Sequence, residues 1–439
     1  MNINKFELVI GLEVHIQPNT KSKMFCNCST DIFGAKPNSH TCPTCLGLPG
    51  ALPVPNKMAI EQLIKLGFAF GCSINLSSKF DRKHYYYPDL PKGYQISQYD
   101  KPFCVGGNVV VEPEKEIRIT RIHMEEDTGK LSHVGNKTLV DYNRSGMPLI
   151  ELVTEPDFKT LQDLDNFTRE LRLILRHLNI SDADMEKGQL RLEANVSVRK
   201  VGEVDLPNYK VELKNINSFK YMLKAIEFEF KRQSEILESG QMPAQETRGW
   251  NENKNQTFLQ RAKETADDYR YFPEPDIPPI LLEQNYIDSL AKCVEDLPII
   301  KREKLKNEYG LSEHEITVLI SDIELLNHFY ELIKLAEEVK AKDIAKKLVN
   351  SKESQKLSAQ EFFELLQNEK SEIISDTQEL EEIIRKIVAE NQKAFEDYKN
   401  GNQNSIQFLV GKVMQQTKGK ADAKVVIEII KNINANSLN

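Results

Sequence analysis

From the N-terminus to about residue 290, apolar and polar residues alternate in short runs, separated by stretches with helical spacing. Beyond that point only the helical spacing persists. ELVIGLEVHI reads as a strand. Ile117 to Glu126, Leu190 to Arg199 and Tyr209 to Asn215 show the period of two that marks a half-buried strand. Asn56 through Gly71 reads as a helix, with Asn56 as its cap and a glycine as its stop. A second helix follows Asp157, its stripe carried by Leu161, Leu164, Phe167, Leu171 and Leu175, and a third follows Ser218 and ends before Gly240. Strands of this kind predict an α+β fold: a mostly antiparallel sheet with helices packed on one face. The proline-dense segment YFPEPDIPPI (Tyr271–Ile280) closes this first unit. The rest of the chain is rich in Lys and Glu and predicts helices alone. A break near Lys370 to Asp376 precedes short helices around Leu380–Val388, Ser405–Met414 and Asp422–Ile433. The expected domains are 1–290, 291–375 and 376–439.

Composition narrows the class. A chain of 439 residues exceeds one typical domain, and an apolar fraction of 40% suffices for real cores. No run approaches the roughly 20 apolar residues of a membrane span. Glu7 and Glu13 interrupt the N-terminal apolar stretch and no cleavage signature comes after it, so a cytoplasmic protein is expected. A net charge of −8 argues against a nonspecific coat for nucleic acid. Residues 391–439 do hold seven Lys against four acids. A nucleic-acid contact is expected on such a local patch, although a lysine-rich solvated face explains the asymmetry equally well. Seven cysteines, an odd number, do not suggest a disulfide framework.

Four of those cysteines are placed for a metal. Cys26-x-Cys28 and Cys42-x-x-Cys45 are two close pairs joined by a short polar loop containing proline. Each short spacing lets one turn present two sulfurs to one ion, and four thiolates leave no open position, so a structural zinc is expected. An iron–sulfur cluster takes the same ligands. Cys72, Cys104 and Cys293 read as isolated cysteines.

The strand patterns define a second constellation. In GLEVHIQ, Leu12, Val14 and Ile16 share one face while Glu13, His15 and Gln17 share the other. In IRITRIHMEED, Thr120, Ile122 and Met124 oppose Arg121, His123 and Glu125. In LRLEANVSVR the polar side carries Arg191, Glu193, Asn195, Ser197 and Arg199, and in YKVELKN Glu212 stands between Lys210 and Lys214. Antiparallel sheets routinely turn a charged face to water. Glu, His, Arg and Asn on one concave face can equally hold magnesium through carboxylates and steady phosphates through arginine. Neither a GxxxxGK[ST] loop nor a GxGxxG fingerprint occurs, so a nucleotide here would need another architecture.

The stretches VIGLEVHIQ, KFDRKHYYYPDLPKGYQISQYDKP, RIHMEEDTGK, DYNRSGMPLIELVTEPD, VELKNINSF and DDYRYFPEPDIPP, with FEDYKNG and FLVGKVMQQTKGKAD in the tail, resemble the family of B subunits of aspartyl/glutamyl-tRNA amidotransferase. The resemblance runs almost continuously from residue 7 to about 280. It implies a cradle domain of the glutamine synthetase and guanido kinase class, then a helical domain and a small helical, tRNA-contacting tail. It implies ATP-dependent phosphorylation of the side-chain carboxylate of Glu-tRNA(Gln) or Asp-tRNA(Asn). Ammonia from a glutaminase, the A subunit, then displaces the phosphate, and a small C subunit completes a heterotrimer. Carried over residue by residue, the magnesium and phosphorylation site falls on Glu13, His15, Glu125 and Glu212, with Glu193 nearby. Arg191, Asn195 and Lys214 would contact phosphates. Tyr85, Tyr86, Tyr87, Pro88, Lys92, Gln95 and Gln98 match a family signature that would line the site, line the ammonia path or serve packing.

Two departures stand out. Glu193 occupies a position where many relatives carry Asp, and residues 290–390 look shortened, chiefly between Leu357 and Ile387. The competing expectation is a non-catalytic, zinc-pinned adaptor that binds tRNA while its partners do the chemistry.

Overall fold

A computed structural model describes residues 5–112, 115–262, 269–336, 339–371, 377–417 and 421–436. Strand Phe6–Ile16 runs through the middle of a ten-stranded sheet. On one side it pairs antiparallel with Leu190–Lys200 at every position from Phe6↔Lys200 to Ile16↔Leu190. On the other it pairs antiparallel with Pro148–Thr154. Beyond Leu190–Lys200 lie Val211–Leu213, Glu246–Asn251 and Gln256–Ala262. Beyond Pro148–Thr154 lie Lys115–Glu126, Cys104–Val105 and Ser73–Ile74, and Asn108–Glu112 also pairs with Lys115–Glu126. Among the described residues the one parallel pairing in this sheet joins Val211–Leu213 to Glu246–Asn251.

The period of two decides which face is buried. Leu8, Ile10, Leu12, Val14 and Ile16 enter a core with Ile150, Leu152, Leu192, Ala194 and Val196. Apolar stripes of helices Lys57–Ala69, Leu161–His177 and Phe219–Glu238 supply much of the rest. The opposite face is left to the polar residues.

One strand departs from the simple alternation. The register of Lys115–Glu126 against Pro148–Thr154 shifts between Val153↔Arg121 and Thr154↔Ile119. A bulge of this kind puts two residues opposite one and switches faces. Thr120, expected on the apolar side, is therefore exposed with its hydroxyl on Glu155, 2.7 Å away, while Ile119 and Ile122 are both buried.

Helix Leu161–His177 begins with a capping box: Thr160 Oγ1 accepts from the Asp163 amide and the Asp163 carboxylate accepts from the Thr160 amide. Asp163 also meets Lys115 Nζ at 2.6 Å. Replacing Thr160 with Ala is expected to cost about 1 kcal/mol, read as a lower Tm. Burial opposes the charge on Asp163, but Lys115 and the Lys159 and Thr160 groups outweigh it and hold its carboxyl below the ordinary 3.8. Its contribution is therefore complete above pH 3.8 and is lost as pH falls through the lower folded value. An Asp163→Asn chain should start from a lower Tm near neutrality and lose less on acidification than wild type.

Packing runs on across residue 290. Helix Gln284–Ala291 spans that point, and its Ile287, with Leu297 beyond it, packs into the sheet's core. The chain forms two compact units, Met1–Ile323 and Glu324–Asn439. Past Leu281 the described residues hold helices and no strand. In the second unit, helices Thr377–Glu390, Gln392–Lys399, Gln403–Gln416 and Ala423–Asn436 share a core that includes Leu380, Ile384, Leu409, Val413, Val426 and Ile430. The expected break near Lys370 to Asp376 falls largely on residues 372–376, outside the described residues. Among those described, no helix is long and apolar enough to cross a membrane.

Candidate active site and metal centre

Strand Phe6–Ile16 delivers Glu13 and His15 to the polar face, and their cross-strand neighbours determine what each meets. Glu13 lies opposite Glu193 and His15 opposite both Arg191 and Glu151. Glu125 comes from the end of Lys115–Glu126, and Glu212 from Val211–Leu213. The anticipated single set of Glu13, His15, Glu125 and Glu212 is thereby divided into two neighbouring groups. Glu13, Glu193 and Glu212 bring one oxygen each to within 4.8 Å of one another, and His15, Glu125 and Glu151 do the same with their ligand atoms.

In the first group Glu193 stands beside Glu13, longer reach notwithstanding. Lys214 Nζ lies between Glu193 (2.8 Å) and Glu212 (2.9 Å). Thr247 Oγ1 donates to the other oxygen of Glu212 at 2.9 Å. Asn195 Nδ2 donates to Glu13 at 2.9 Å, which leaves its buried Oδ1 with no hydrogen-bond partner among the described residues. An unpartnered buried acceptor beside three carboxylates is suited to a cation. Arg191, expected on phosphate, pairs here with Asp127 at 3.0 Å.

The second group is more deeply buried. His15 Nε2 lies 3.4 Å from Glu151 and 3.7 Å from Glu125, and His123 Nε2 lies 3.6 Å from Glu151. Burial pulls the His15 imidazole down, but Glu151, Glu125 and Glu193 outweigh it and raise its pKa to about 9. Burial lowers the His123 imidazole to about 4: the opposing pull of Glu151 is too small, and the charges of Arg121, Lys83 and His15 add to the lowering. Burial and the charge of Glu151 push Glu125 up to about 7. Burial resists ionisation of Glu151 too, yet the imidazoles of His123 and His15 hold it well below the usual carboxylate range. Two adjacent carboxylates are thus driven apart, as happens where chemistry needs one proton-holding and one ionised group. A divalent cation between them would favour the ionised form of both.

Glu151 and Lys83 are the residues that sequence reasoning missed. PLIELVT carries one charge in a run of apolar residues, so no alternation exposes Glu151. Only its register opposite His123 and His15 does so. Lys83 lies on strand Asp81–His84, outside the large sheet. Its ammonium is kept charged because Glu125 and Glu151 outweigh burial.

The cysteines converge elsewhere in the same unit. The sulfurs of Cys26, Cys28, Cys42 and Cys45 lie within 4.8 Å of one another, and none is in a disulfide. That closeness suits one tetrahedral ion, whereas a four-iron cluster spreads its cysteines over separate irons. Lys23 lies against them, 1% exposed, with Nζ donating to His40 O (2.8 Å) and Ser145 O (2.7 Å) and lying 3.7 Å from Cys45 Sγ. A hydrogen bond with Cys26 outweighs burial and lowers the Cys45 thiol to about 4, and the Cys42 backbone and the Lys23 charge act in the same direction. Four thiolates around a doubly charged ion keep two excess negative charges, of which Lys23 offsets one.

Carboxylates gathered on the polar face of a sheet, beside a four-thiol centre, place the chain among mixed α+β proteins suited to holding cations. A family model described as the GatB/GatE catalytic domain matches residues 8–288, and one described as the GatB domain matches residues 308–433. A protein of Caldicellulosiruptor saccharolyticus, named as the B subunit of aspartyl/glutamyl-tRNA(Asn/Gln) amidotransferase, is 43% identical over 97% of this chain and 98% of its own length. Its namesakes in Thermoanaerobacter pseudethanolicus and Dehalococcoides mccartyi are 44% and 41% identical, covering 97% and 98% of this chain and 99% of their own lengths. The chain belongs to the GatB family of amidotransferase subunits.

Proposed function

We propose that this chain is the ATP-using subunit of a tRNA-dependent amidotransferase, acting on the side-chain carboxylate of Glu-tRNA(Gln), Asp-tRNA(Asn) or both. The observation that carries the reading is the pair of acid-rich groups on one sheet face, three carboxylates in one and two with His15 in the other. The fold is proposed to be a cradle of the glutamine synthetase and guanido kinase class. Zinc is proposed at the four cysteines, and magnesium at Glu13, Glu193 and Glu212 and at His15, Glu125 and Glu151. Magnesium there would neutralise the charge of the transferred phosphoryl group.

A carboxylate is a poor electrophile; phosphorylation turns one of its oxygens into a leaving group that ammonia can displace. The chain itself contributes position and charge. Thr247 and Lys214 fix both oxygens of Glu212, and Asn195 fixes Glu13. Arg191, paired with Asp127, and Lys214, paired with Glu193 and Glu212, would exchange those carboxylates for phosphate when substrate binds. In this reading the working assembly adds two further chains, a glutaminase (the A subunit) that supplies ammonia and a small C subunit. It works in the cytoplasm, and the helical region past residue 290 contacts tRNA.

The test supplies the assembled complex with misacylated tRNA and ammonium chloride in place of glutamine. Amide and ADP should form in step, and only when ATP is present. Amide formation without ATP would overturn the reading.

A further inference from the structure

On the helix-covered face of the sheet, behind the carboxylates, lies a second polar cluster that is closed to water. Helix Phe219–Glu238 buries Met222, Ala225, Ile226, Glu229 and Gln233 along one stripe, so Glu229 occupies a position where the spacing calls for an apolar residue. Its fully buried carboxylate accepts from Arg232 Nη2 at 2.8 Å, Gln233 Nε2 at 2.9 Å and Thr257 Oγ1 at 2.6 Å. Arg248 Nε lies 3.2 Å from it. Glu246 accepts from both guanidiniums, from Arg232 at 2.9 Å and from Arg248 at 3.0 Å, so two carboxylates balance two arginines. Arg248 also donates to Thr257 O at 3.1 Å.

Arg248 is where this cluster meets the site. Strand Glu246–Asn251 turns Glu246 and Arg248 toward the helix and Thr247, between them, toward Glu212. Arg248 O accepts from the Lys214 amide at 3.1 Å, and Lys214 Nζ bridges Glu193 and Glu212. The strand ladder alone holds this place weakly. Val211–Leu213 is three residues long, and it pairs with Glu246–Asn251 in parallel. On the other side the register shifts between Thr247↔Arg261 and Arg248↔Leu259, which makes Gln260 an extra residue and interrupts the ladder.

We infer that Glu229, acting through Arg248, is a positioning residue for the group of Glu13, Glu193 and Glu212, and sets how tightly that group holds a divalent cation. The inference rests on the functional reading above, which places magnesium there, and it gives a role to a side chain on the far side of the sheet. Stability alone is a poor reason for such a cluster, because apolar residues of similar volume often replace buried ion pairs without loss. A fully satisfied charge network does what an apolar contact does not: it fixes direction. With its guanidinium held by Glu229, Glu246 and Thr257, Arg248 keeps its backbone in the one register that serves the site. In that register the Thr247 hydroxyl and the Lys214 ammonium both meet Glu212. Groups that orient metal ligands from behind typically change metal affinity by about ten- to a hundredfold when replaced.

The experiment uses the assembled complex with Mn2+ as the probe, its free concentration followed by electron paramagnetic resonance in the absence of ATP and tRNA. The chains compared are wild type, Glu229→Gln, Arg248→Lys, Glu212→Gln, and Glu229→Gln combined with Glu212→Gln. Glu229→Gln and Arg248→Lys should each weaken Mn2+ binding at one class of site about tenfold. The Mg2+ needed for half-maximal amidation should rise by a similar factor, with the KM for tRNA unchanged. Excess Mg2+ should restore kcat, which it would not do for a chain that had merely lost stability. Adding Glu229→Gln to Glu212→Gln should weaken Mn2+ binding no further, because both act on one group. If Glu229→Gln fails to fold, Arg248→Lys, which keeps the charge and loses the fork, decides the matter alone. No Mn2+ uptake by wild type, wild-type affinity in both single variants, or losses that add in the combined variant would overturn the inference. The two readings fail separately: amidation without ATP in the wild-type complex sinks the function, while the Mn2+ titrations still report whether Glu229 governs a cation site.

Discussion

Glutamine in place of Glu125 or of Glu151 is expected to reduce ATP-dependent amidation by a factor of about a thousand, with glutaminase activity in the assembled complex little changed. The two substitutions remove charge from the same group but differ in what they leave behind. Glu151 holds His15 at 3.4 Å and His123 at 3.6 Å, and is the main source of the raised pKa of His15. Without it, burial of His15 is no longer outweighed, so the His15 imidazole should lose its proton at a lower pH. Glu125 contributes less to His15, so Glu125→Gln should leave that titration nearer to wild type. Measuring amidation together with the His15 titration by NMR separates the two. Full amidation in both variants would remove the second group from the site. The pair also differs in legibility, since the sequence displays Glu125 on a polar face and conceals Glu151 in an apolar run.

Removing metal from the cysteine centre should cost several kcal/mol of stability, since binding to four thiolates is available only to the folded loop. For a unit of this size that corresponds to a Tm lowered by roughly 10 °C. The purified chain should carry about one zinc, and a chelator or Cys45→Ser should produce the drop. The effect should exceed that of a single cap because Lys23 is involved. Its buried ammonium donates to His40 O and Ser145 O and faces Cys45, so losing the thiolates leaves a buried charge with fewer partners. A metal-free chain that melts at the same temperature would dismiss the zinc.

The sequence revealed the parts of this molecule that are governed by local spacing. The alternation along GLEVHIQ and LRLEANVSVR identified Glu13, His15, Arg191, Glu193 and Asn195 as residues of one polar side, and the pairing of the two strands puts them together. Helix Leu161–His177 and its stripe were legible for the same reason. Features that depend on distant contacts were not. The division of the carboxylates into two groups results from the register of three strands, and Glu151 is invisible until Pro148–Thr154 is paired. The bulge near Thr120 reverses an alternation that looks regular. The proline-dense segment marks where strands give way to helices, but nothing local shows that Ile287 and Leu297 join a core formed far away in sequence.

The central strand also determines where this chain can change its length. Each residue of Phe6–Ile16 is matched to one of Leu190–Lys200, so removing a single residue ahead of Glu13 would exchange the two faces. Glu13 and His15 would enter the core, and Leu12 and Val14 would take their places on the polar side. No substitution elsewhere could compensate for that. The hairpin tip between Lys130–Val134 and Lys137–Asp141 carries no such restriction, because the strands leading to it are largely exposed and, among the described residues, form a ladder with each other alone. Insertions and deletions that leave activity intact should therefore accumulate at that tip and be absent from residues 6–16, a pattern that a library of single-residue deletions would reveal without any assay of mechanism.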